Sequence, residues 1–239
     1  MAGASVLADL APTGRLRAAI NVGNAVLAHR DGSSASGVSV ELARALALRL
    51  GVDLDLVIFD AAGNVFQALD QGLWDIAFLA IEPARAVAID FTEPYVLLEG
   101  VFAVPQESAI RHPDEVDRDG CRISVARGSG YDLFLSRTIR RATLVRWNTG
   151  QESMRKFVSE ELEASANIRP MMEEFLALNP GYRLVLPAFM TVEQAMAVPK
   201  GRTAGADYVK AFLREIKASR FVAETLVRSG QPAALAAPL

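Results

Sequence analysis

GLWDIAFLAIEPARAVAIDFTEPY, residues 72–95, decides how this chain folds. Its first part, Trp74–Ala80, is a short, mostly apolar run shortly after Gly72, which is typical of a buried β-strand. Arg85 follows this strand and precedes a second apolar stretch, Val87–Ile89. Because an arginine is rarely buried without a partner, the pattern predicts that Arg85 meets a negative group near the end of the strand.

The sequence before this strand alternates between strand and helix patterns. Leu16–Val22 and Asp53–Phe59 are apolar strand candidates, while Val38–Leu50 repeats apolar residues at helical spacing and Asn64–Gln71 continues as a second helix. The resulting β-α-β-α-β order predicts parallel strands joined by right-handed crossovers. Ligands bind beyond the carboxyl ends of the strands in such sheets, so the loop at Ile81–Pro83 is a predicted binding region.

The same alternation starts again at Gly120 and continues to the last helices. The predicted strands are Cys121–Ala126, Thr143–Trp147, a stretch around Leu162–Ala166, Tyr182–Leu186 and Gln194–Val198, and the predicted helices are Ser129–Arg140, Ser153–Ser159, Ile168–Leu178, Ala206–Ser219 and Phe221–Ser229. We therefore predict an α/β fold of two Rossmann-like lobes joined by two hinge strands, near Val101–Val104 and Ala195–Val198, which let the lobes open and close. Lobe 1 is predicted to comprise residues 1–104 and 197–239, and lobe 2 residues 105–196.

Composition excludes several classes of protein. Hydrophobic residues make up 51% of the chain and charged residues 22%, which indicates a folded globular protein. The net charge of -3, with scattered Lys and Arg, indicates no nucleic-acid partner. Cys121 is the only cysteine, and His29 and His112 lie far apart in sequence, so neither a disulfide nor a metal site is predicted. The first residues lack a basic region and are interrupted by Asp9 and Pro12, which argues against a signal peptide.

Four segments together resemble a known family: GVSVELARALALRLGV (37–52), residues 68–95, SVARGSGYDLFL (124–135) and AVPKG (197–201). In the same order along the chain, they are similar to the family 3 extracellular solute-binding proteins, the polar-amino-acid receptors of ABC importers. The resemblance implies a periplasmic binding protein-like fold of type II, a small-molecule ligand bound between the lobes, an ABC transporter permease as partner, a monomer and no cofactor. It also implies a periplasmic or extracellular location, although a cytoplasmic one stays open because the chain shows no leader.

The resemblance also assigns roles to individual residues. Arg85 matches the arginine that grips the ligand carboxylate, Ala80 and Glu82 match its neighbouring contacts, and Gly128 and Ser129 match the anion-holding loop of lobe 2. The chemistry agrees, because a guanidinium fork binds a carboxylate through two parallel hydrogen bonds. Backbone N–H groups at the start of a helix are likewise suited to an anion.

Three positions depart from the family pattern. Glu163 falls where the family has an aspartate for the ligand ammonium and is one methylene longer. The first loop, NVGNAVLAH, lacks the aromatic residue that stacks on the ligand and offers Asn24 as its polar contact. Glu82 replaces a threonine, and whether it pairs with Arg85 stays open. These departures favour a ligand other than an ordinary α-amino acid.

Two other functions stay open from the sequence. One is a lyase similar to cyclohexadienyl dehydratase on the same scaffold, with Glu82 or Glu163 as a protonated general acid. The other is a leaderless intracellular sensor. A binding protein needs no catalytic group, and the GSG at Gly128–Gly130 lacks the first glycine of a nucleophile elbow, where Arg127 stands. We therefore predict a binding protein with no catalytic residue.

Overall fold

A computed structural model of the chain describes residues 2–239, which divide into two compact units. Unit 1 comprises the residues up to Leu97 together with Glu193–Leu239, and unit 2 comprises Leu98–Val192. The chain passes from one unit to the other within two long strands, Ile89–Pro105 and Tyr182–Pro199. The predicted lobe boundaries, after residues 104 and 196, fall inside these same strands.

Helices and strands alternate through both units. Up to the first passage between the units the elements are α1 (Ala4–Leu10), β1 (Arg15–Asn21), β2 (His29–Asp31), β3 (Ser34–Ser36), α2 (Val38–Leu50), β4 (Asp53–Phe59), α3 (Ala62–Gln67), β5 (Ile76–Ala80), α4 (Pro83–Ala86) and β6 (Ile89–Pro105). The elements that follow are β7 (Arg122–Ala126), α5 (Gly130–Thr138), β8 (Thr143–Trp147), α6 (Gly150–Ser159), β9 (Ala164–Ile168), α7 (Arg169–Leu178), β10 (Tyr182–Pro199), α8 (Thr203–Ala218) and α9 (Phe221–Arg228).

The sheet of unit 1 is mostly parallel. Strand β1 pairs in parallel with β4 along its whole length and with β5 on its other side. The last part of β10 closes this sheet by running antiparallel to β5. Every residue of β5 is buried, as expected for a strand covered on both faces. Trp74 packs beside it, and its indole N–H donates to the carbonyl of Val65 at 2.9 Å.

The sheet of unit 2 repeats this arrangement. Strands β9, β7 and β8 are parallel, and the last part of β6 runs antiparallel to β9. Helix α5 connects β7 to β8, and helix α6 connects β8 to β9. The α/β architecture predicted from the alternation of strand and helix patterns is therefore confirmed.

Two local features differ from the sequence analysis. Helix α1 was not predicted, because its short segment is ordered by packing on α8, where Gly205 donates its backbone N–H to Asp9 at 2.9 Å. The strands predicted at Tyr182–Leu186 and Gln194–Val198 are parts of the single strand β10. None of the helices in residues 2–239 combines the length and the apolar character needed to cross a membrane.

Candidate functional site

The candidate site of unit 1 lies at the carboxyl ends of its parallel strands. Because β1 and β4 pair in register up to Asn21 and Phe59, the loops that follow them begin at the same edge of the sheet. These loops are in close contact, since a Cβ on Gly23 would lie 2.1 Å from the carbonyl oxygen of Asp60. Only glycine fits at this position, and it places the next residue, Asn24, at the edge where ligands bind in such sheets.

Arg85 lies directly beyond β5, on the short helix α4. Its side chain is buried, with 1% of its surface exposed, and an Nη atom donates to the carbonyl of Ala80 at 2.9 Å. Burial lowers the pKa of the Arg85 guanidinium to about 10, and the nearby charge of Glu82 partly opposes that shift. Ala80 therefore contributes its backbone oxygen, and the end of β5 fixes the position of a buried cation.

Glu82 begins the turn that carries Arg85. Its carbonyl accepts the backbone N–H groups of Arg85 and Ala86 at 2.9 and 3.0 Å, and Pro83 occupies the first helical position, where a missing N–H costs nothing. Only 2% of the Glu82 surface is exposed. Its carboxylate stabilises the charged form of Arg85 by Coulomb attraction. Glu82 and Arg85 are thus two buried, oppositely charged groups at the carboxyl end of one strand.

Asn24 has a buried polar atom at the same edge of unit 1. Its backbone carbonyl accepts the N–H groups of Leu27 and Ala28, each at 3.0 Å, which shapes the loop after β1. Its side-chain Oδ1 is buried and has no hydrogen-bond partner among residues 2–239. A buried acceptor of this kind is satisfied by a donor from water or from a bound molecule.

In unit 2, Gly128 and Ser129 form the turn between β7 and α5. Ser129 is the N-cap of α5, and its Oγ accepts the backbone N–H of Asp132 at 3.1 Å. Gly128 has a φ of 68° and donates its N–H to the Asp132 carboxylate at 2.8 Å. The same carboxylate is paired with Arg146 at 2.9 Å. The Asp132 carboxylate therefore already occupies the Gly128 N–H in this turn. The donors that can still bind another anion are the first N–H groups of α5, which have no acceptor within the helix.

Glu163 lies at the other edge of the sheet of unit 2. It precedes β9, and because Ile123 pairs with Ala164, it lies beside Arg122 at the amino ends of the parallel strands. Arg122 donates three hydrogen bonds to its carboxylate, at 2.8, 2.9 and 2.9 Å. Gly128 and Ser129 follow the opposite ends of these strands, so the structure does not bring Glu163 together with them.

Replacement of Glu163 by alanine should leave solute binding unchanged. The Glu163 and Arg122 side chains are 34% and 44% exposed, so losing this ion pair should cost no more than about 1 kcal/mol of unfolding free energy. Calorimetric titration and urea unfolding measure the two quantities. A clear loss of affinity in the Glu163→Ala protein would return this residue to the binding site.

Asn167, which the sequence analysis did not consider, ends up at the edge where Glu163 was expected. It lies near the carboxyl end of β9 with 2% of its surface exposed. Tyr131, on the first turn of α5, is also buried, and its hydroxyl lies within hydrogen-bonding range of the Ser129 side chain. A search for polar residues at the end of each predicted parallel strand would have found Asn167.

The described part of the chain has no group of three or more His, Cys, Asp and Glu side chains arranged to hold a metal ion. The carboxyl edge of unit 1 has the buried Arg85 and the buried Oδ1 of Asn24, and the carboxyl edge of unit 2 has the buried Asn167, Tyr131 and the starts of α5 and α6. This set can hold oxygen-bearing groups through hydrogen bonds and charge.

Comparison with known proteins gives one family. The sequence model of the bacterial extracellular solute-binding proteins, family 3, matches residues 16–228. No curated protein sequence matches the chain.

Several solved structures have the same fold. A mutant of ArgBP from T. maritima is 21% identical with a TM-score of 0.77, covering 93% of this chain and 97% of that chain. AbpA from Streptococcus pneumoniae, an amino acid ABC transporter substrate-binding protein bound to L-arginine, is 20% identical with a TM-score of 0.77, covering 92% and 96%. The ancestral amino acid-binding protein AncCDT-1, a precursor of cyclohexadienyl dehydratase, is 21% identical with a TM-score of 0.77, covering 93% and 98%. The predicted periplasmic binding protein-like fold is confirmed by these similarities.

Proposed function

This chain belongs to family 3 of the bacterial extracellular solute-binding proteins, and on that premise we propose that it captures a small, carboxylate-bearing or amino acid-like solute for an ABC importer. The observation that carries the proposal is the buried guanidinium of Arg85 at the carboxyl end of β5. Burying a charge is costly, and a bound carboxylate would repay that cost with charge-assisted hydrogen bonds.

The proposal gives each remaining candidate a role. In unit 1, Arg85 grips the carboxylate, the Ala80 carbonyl and Glu82 hold the guanidinium in place, and Asn24 offers its buried Oδ1 to a donor group. In unit 2, the loop at Gly128–Ser129 and the start of α5 offer backbone N–H groups. The interlobe cleft and the hinge closure that the family resemblance implies stay predictions.

The family also supports a location and a partner. Membership favours a periplasmic or extracellular protein that delivers its solute, as a monomer, to an ABC transporter permease. Fractionation of the native host tests the location, and protein confined to the cytoplasm would favour the alternative of an intracellular sensor.

A thermal-shift screen followed by calorimetry tests the binding function. A ligand that binds only the folded state raises the melting temperature, and the increase grows with the logarithm of the ratio of ligand concentration to Kd. The screen should include amino acids, hydroxy acids and other small carboxylates, each paired with its methyl ester. Esters lack the charged group that Arg85 would grip, so we expect acids to stabilise the protein and their esters to have no effect. Equal stabilisation by both would contradict the role of Arg85.

Solute affinity should fall as the pH rises through about 10, the pKa of Arg85 in the unliganded protein. A bound carboxylate raises this pKa, so binding has its full strength below the pKa of the unliganded protein and weakens as Arg85 of the unliganded protein loses its proton. Calorimetry from about pH 8 to about pH 11, with a solute that has no amino group of its own, measures the effect. Circular dichroism at each pH checks that the chain stays folded. Arg85→Gln is the control without the titrating group. If the affinity of the wild-type protein did not change over this pH range, the prediction would be contradicted.

A lyase is the second candidate function. Two observations favour it: the fold is similar to that of a precursor of cyclohexadienyl dehydratase, and Glu82 is a buried carboxylate beside Arg85. A buried carboxylic acid can act as a general acid for the loss of water. Incubation with prephenate or arogenate at high protein concentration tests this function. Formation of an aromatic product that is lost in the Glu82→Gln protein would replace the binding proposal with a catalytic one.

A further inference from the structure

The side-chain amide of Asn167 in unit 2 has a fixed orientation. Its Oδ1 accepts the backbone N–H of Ile168 at 2.8 Å. Because a backbone N–H is always a donor, this contact identifies the oxygen end of the amide and directs the Nδ2 end away from it. Nδ2 is buried and has no hydrogen-bond partner in residues 2–239. Asn167 therefore presents an N–H₂ donor that still needs an acceptor.

This donor lies beside the first residue of α6. A Cβ on Gly150 would lie 3.3 Å from Asn167 Nδ2 and 3.6 Å from the hydroxyl oxygen of Tyr131, so these groups meet at one point. The absence of a side chain on Gly150 keeps that point open. Helix α6 has 10 residues, and its cap Thr149 accepts the N–H of Glu152 at 3.1 Å. The N–H groups of Gly150 and Gln151 have no acceptor within the helix and point the same way along its axis.

The two acidic side chains nearest in sequence to this point are already engaged. The Glu152 carboxylate accepts the backbone N–H of Asn148 at 2.9 Å, and Asp132 is held by Gly128 and Arg146. The point therefore lies beside one unpartnered donor, Asn167 Nδ2, and at the positive end of a helix dipole, while the accepting Oδ1 of Asn167 is farther away at 3.9 Å and already receives the Ile168 N–H. An ammonium group carries three donors and no acceptor, so it cannot satisfy Asn167 Nδ2 and is disfavoured by the dipole. A hydroxyl, carbonyl or carboxylate oxygen satisfies both.

We propose that Asn167, Tyr131 and Gly150 form a subsite for an oxygen acceptor of the solute, so that a hydroxy or oxo acid is bound in preference to the matching α-amino acid. This inference rests on the proposed binding function and narrows its substrate class. Arg85 supplies the contact for the carboxylate, and the subsite in unit 2 selects the second polar group of the same class of solute.

Matched pairs of solutes test the substrate class on the full chain. L-lactate and L-alanine, L-malate and L-aspartate, and L-2-hydroxyglutarate and L-glutamate each differ only by a hydroxyl in place of an ammonium group. For at least one pair, calorimetry should give the hydroxy acid an affinity about tenfold or more above that of the amino acid. The reason is that a hydroxyl oxygen accepts a hydrogen bond from the buried Nδ2 of Asn167, whereas an ammonium group cannot.

The variant Asn167→Asp should reverse this preference. Aspartate has the same shape and can still accept the Ile168 N–H, so the fold is retained while a donor becomes an acceptor. We expect the hydroxy acid to lose about tenfold in affinity and the amino acid to gain. Asn179→Asp is the matched control, because Asn179 lies in the same unit at the end of α7 and donates to the Phe175 carbonyl. It should change neither affinity.

Three outcomes overturn the inference. If amino acids bind at least as tightly as hydroxy acids and Arg85→Ala abolishes that binding, the binding function stands and the substrate class is wrong. If Asn167→Asp leaves the ratio within each pair unchanged, the amide serves only the fold or a buried water. If no member of any pair binds, the inference fails, and the proposed function fails with it only when no carboxylate of the thermal-shift screen binds either.

Discussion

Replacement of Asp75 by alanine should lower the free energy of unfolding by about 3–5 kcal/mol, which is the cost of removing one partner of a buried ion pair. Asp75 is fully buried, immediately before β5. Its carboxylate accepts three hydrogen bonds from Arg17, one of them from the backbone N–H, and one from Arg202 at 2.8 Å. Arg17 belongs to β1 and Arg202 precedes α8, so one carboxylate connects three parts of unit 1.

The expected loss is large because the partners stay behind. The Arg17 and Arg202 side chains are only 23% and 25% exposed, and without Asp75 they would face each other as unpaired cations. Urea unfolding followed by circular dichroism measures the change. Asp53→Ala is the matched control: Asp53 pairs with Arg15 at 2.7 Å, but it is 76% exposed, and its loss should cost less than about 1 kcal/mol. If Asp75→Ala and Asp53→Ala lowered the free energy of unfolding equally, burial of the ion pair would not be the cause of the loss.

Replacement of Arg85 by alanine should weaken solute binding by about 2–5 kcal/mol, as expected when one partner of a buried, hydrogen-bonded charge pair is removed. The guanidinium is the buried cation at the carboxyl end of β5, and Ala80 and Glu82 hold it there. Without it, the charge of Glu82, a buried group of the same sign as the solute carboxylate, would no longer be offset by the guanidinium. Calorimetric titration with the best acid from the screen measures the loss.

Two control variants separate binding from folding in that experiment. Arg85→Lys keeps the charge and loses the planar fork, so its affinity should lie between those of the wild type and Arg85→Ala. Arg214→Ala removes an arginine of unit 1 that is 69% exposed and pairs with Glu93, and its affinity should match the wild type. An undiminished affinity in a folded Arg85→Ala protein would remove Arg85 from the binding site.

The position of Arg85 could be predicted because its signal is local. An apolar run long enough for one strand, followed by Pro83, indicates where β5 ends, and the arginine lies within one turn of that end. The partners of Asp75 could not be predicted in this way. Arg17 lies 58 residues before it and Arg202 lies 127 residues after it, and only the register of the sheet and the start of α8 bring them together.

The separation of Glu163 from the other candidate residues of unit 2 has a related physical cause. The residue was chosen by its charge, whereas the edge of a parallel sheet on which a side chain lies depends on whether it precedes or follows a strand. Glu163 precedes β9 by one residue, and Asn167 is near its end. An uncharged residue at the correct edge is a weaker signal in a sequence than an acidic one at the wrong edge, so only the pairing of β7 with β9 reveals the difference.

The discontinuous course of unit 1 has a consequence for the order of folding during synthesis. Unit 2 is one continuous segment, and the pairing of β6, β9, β7 and β8 involves no residue after Ile168. The sheet of unit 1 is closed by Gln194–Ala197, which pair with a strand made more than a hundred residues earlier. A chain growing from the ribosome at about 5–20 residues per second can therefore pair these four strands before the sheet of unit 1 is closed. Until then, the apolar strand β5 lacks a neighbour on one side, and the nascent protein exposes the edge of the strand that precedes its candidate binding arginine.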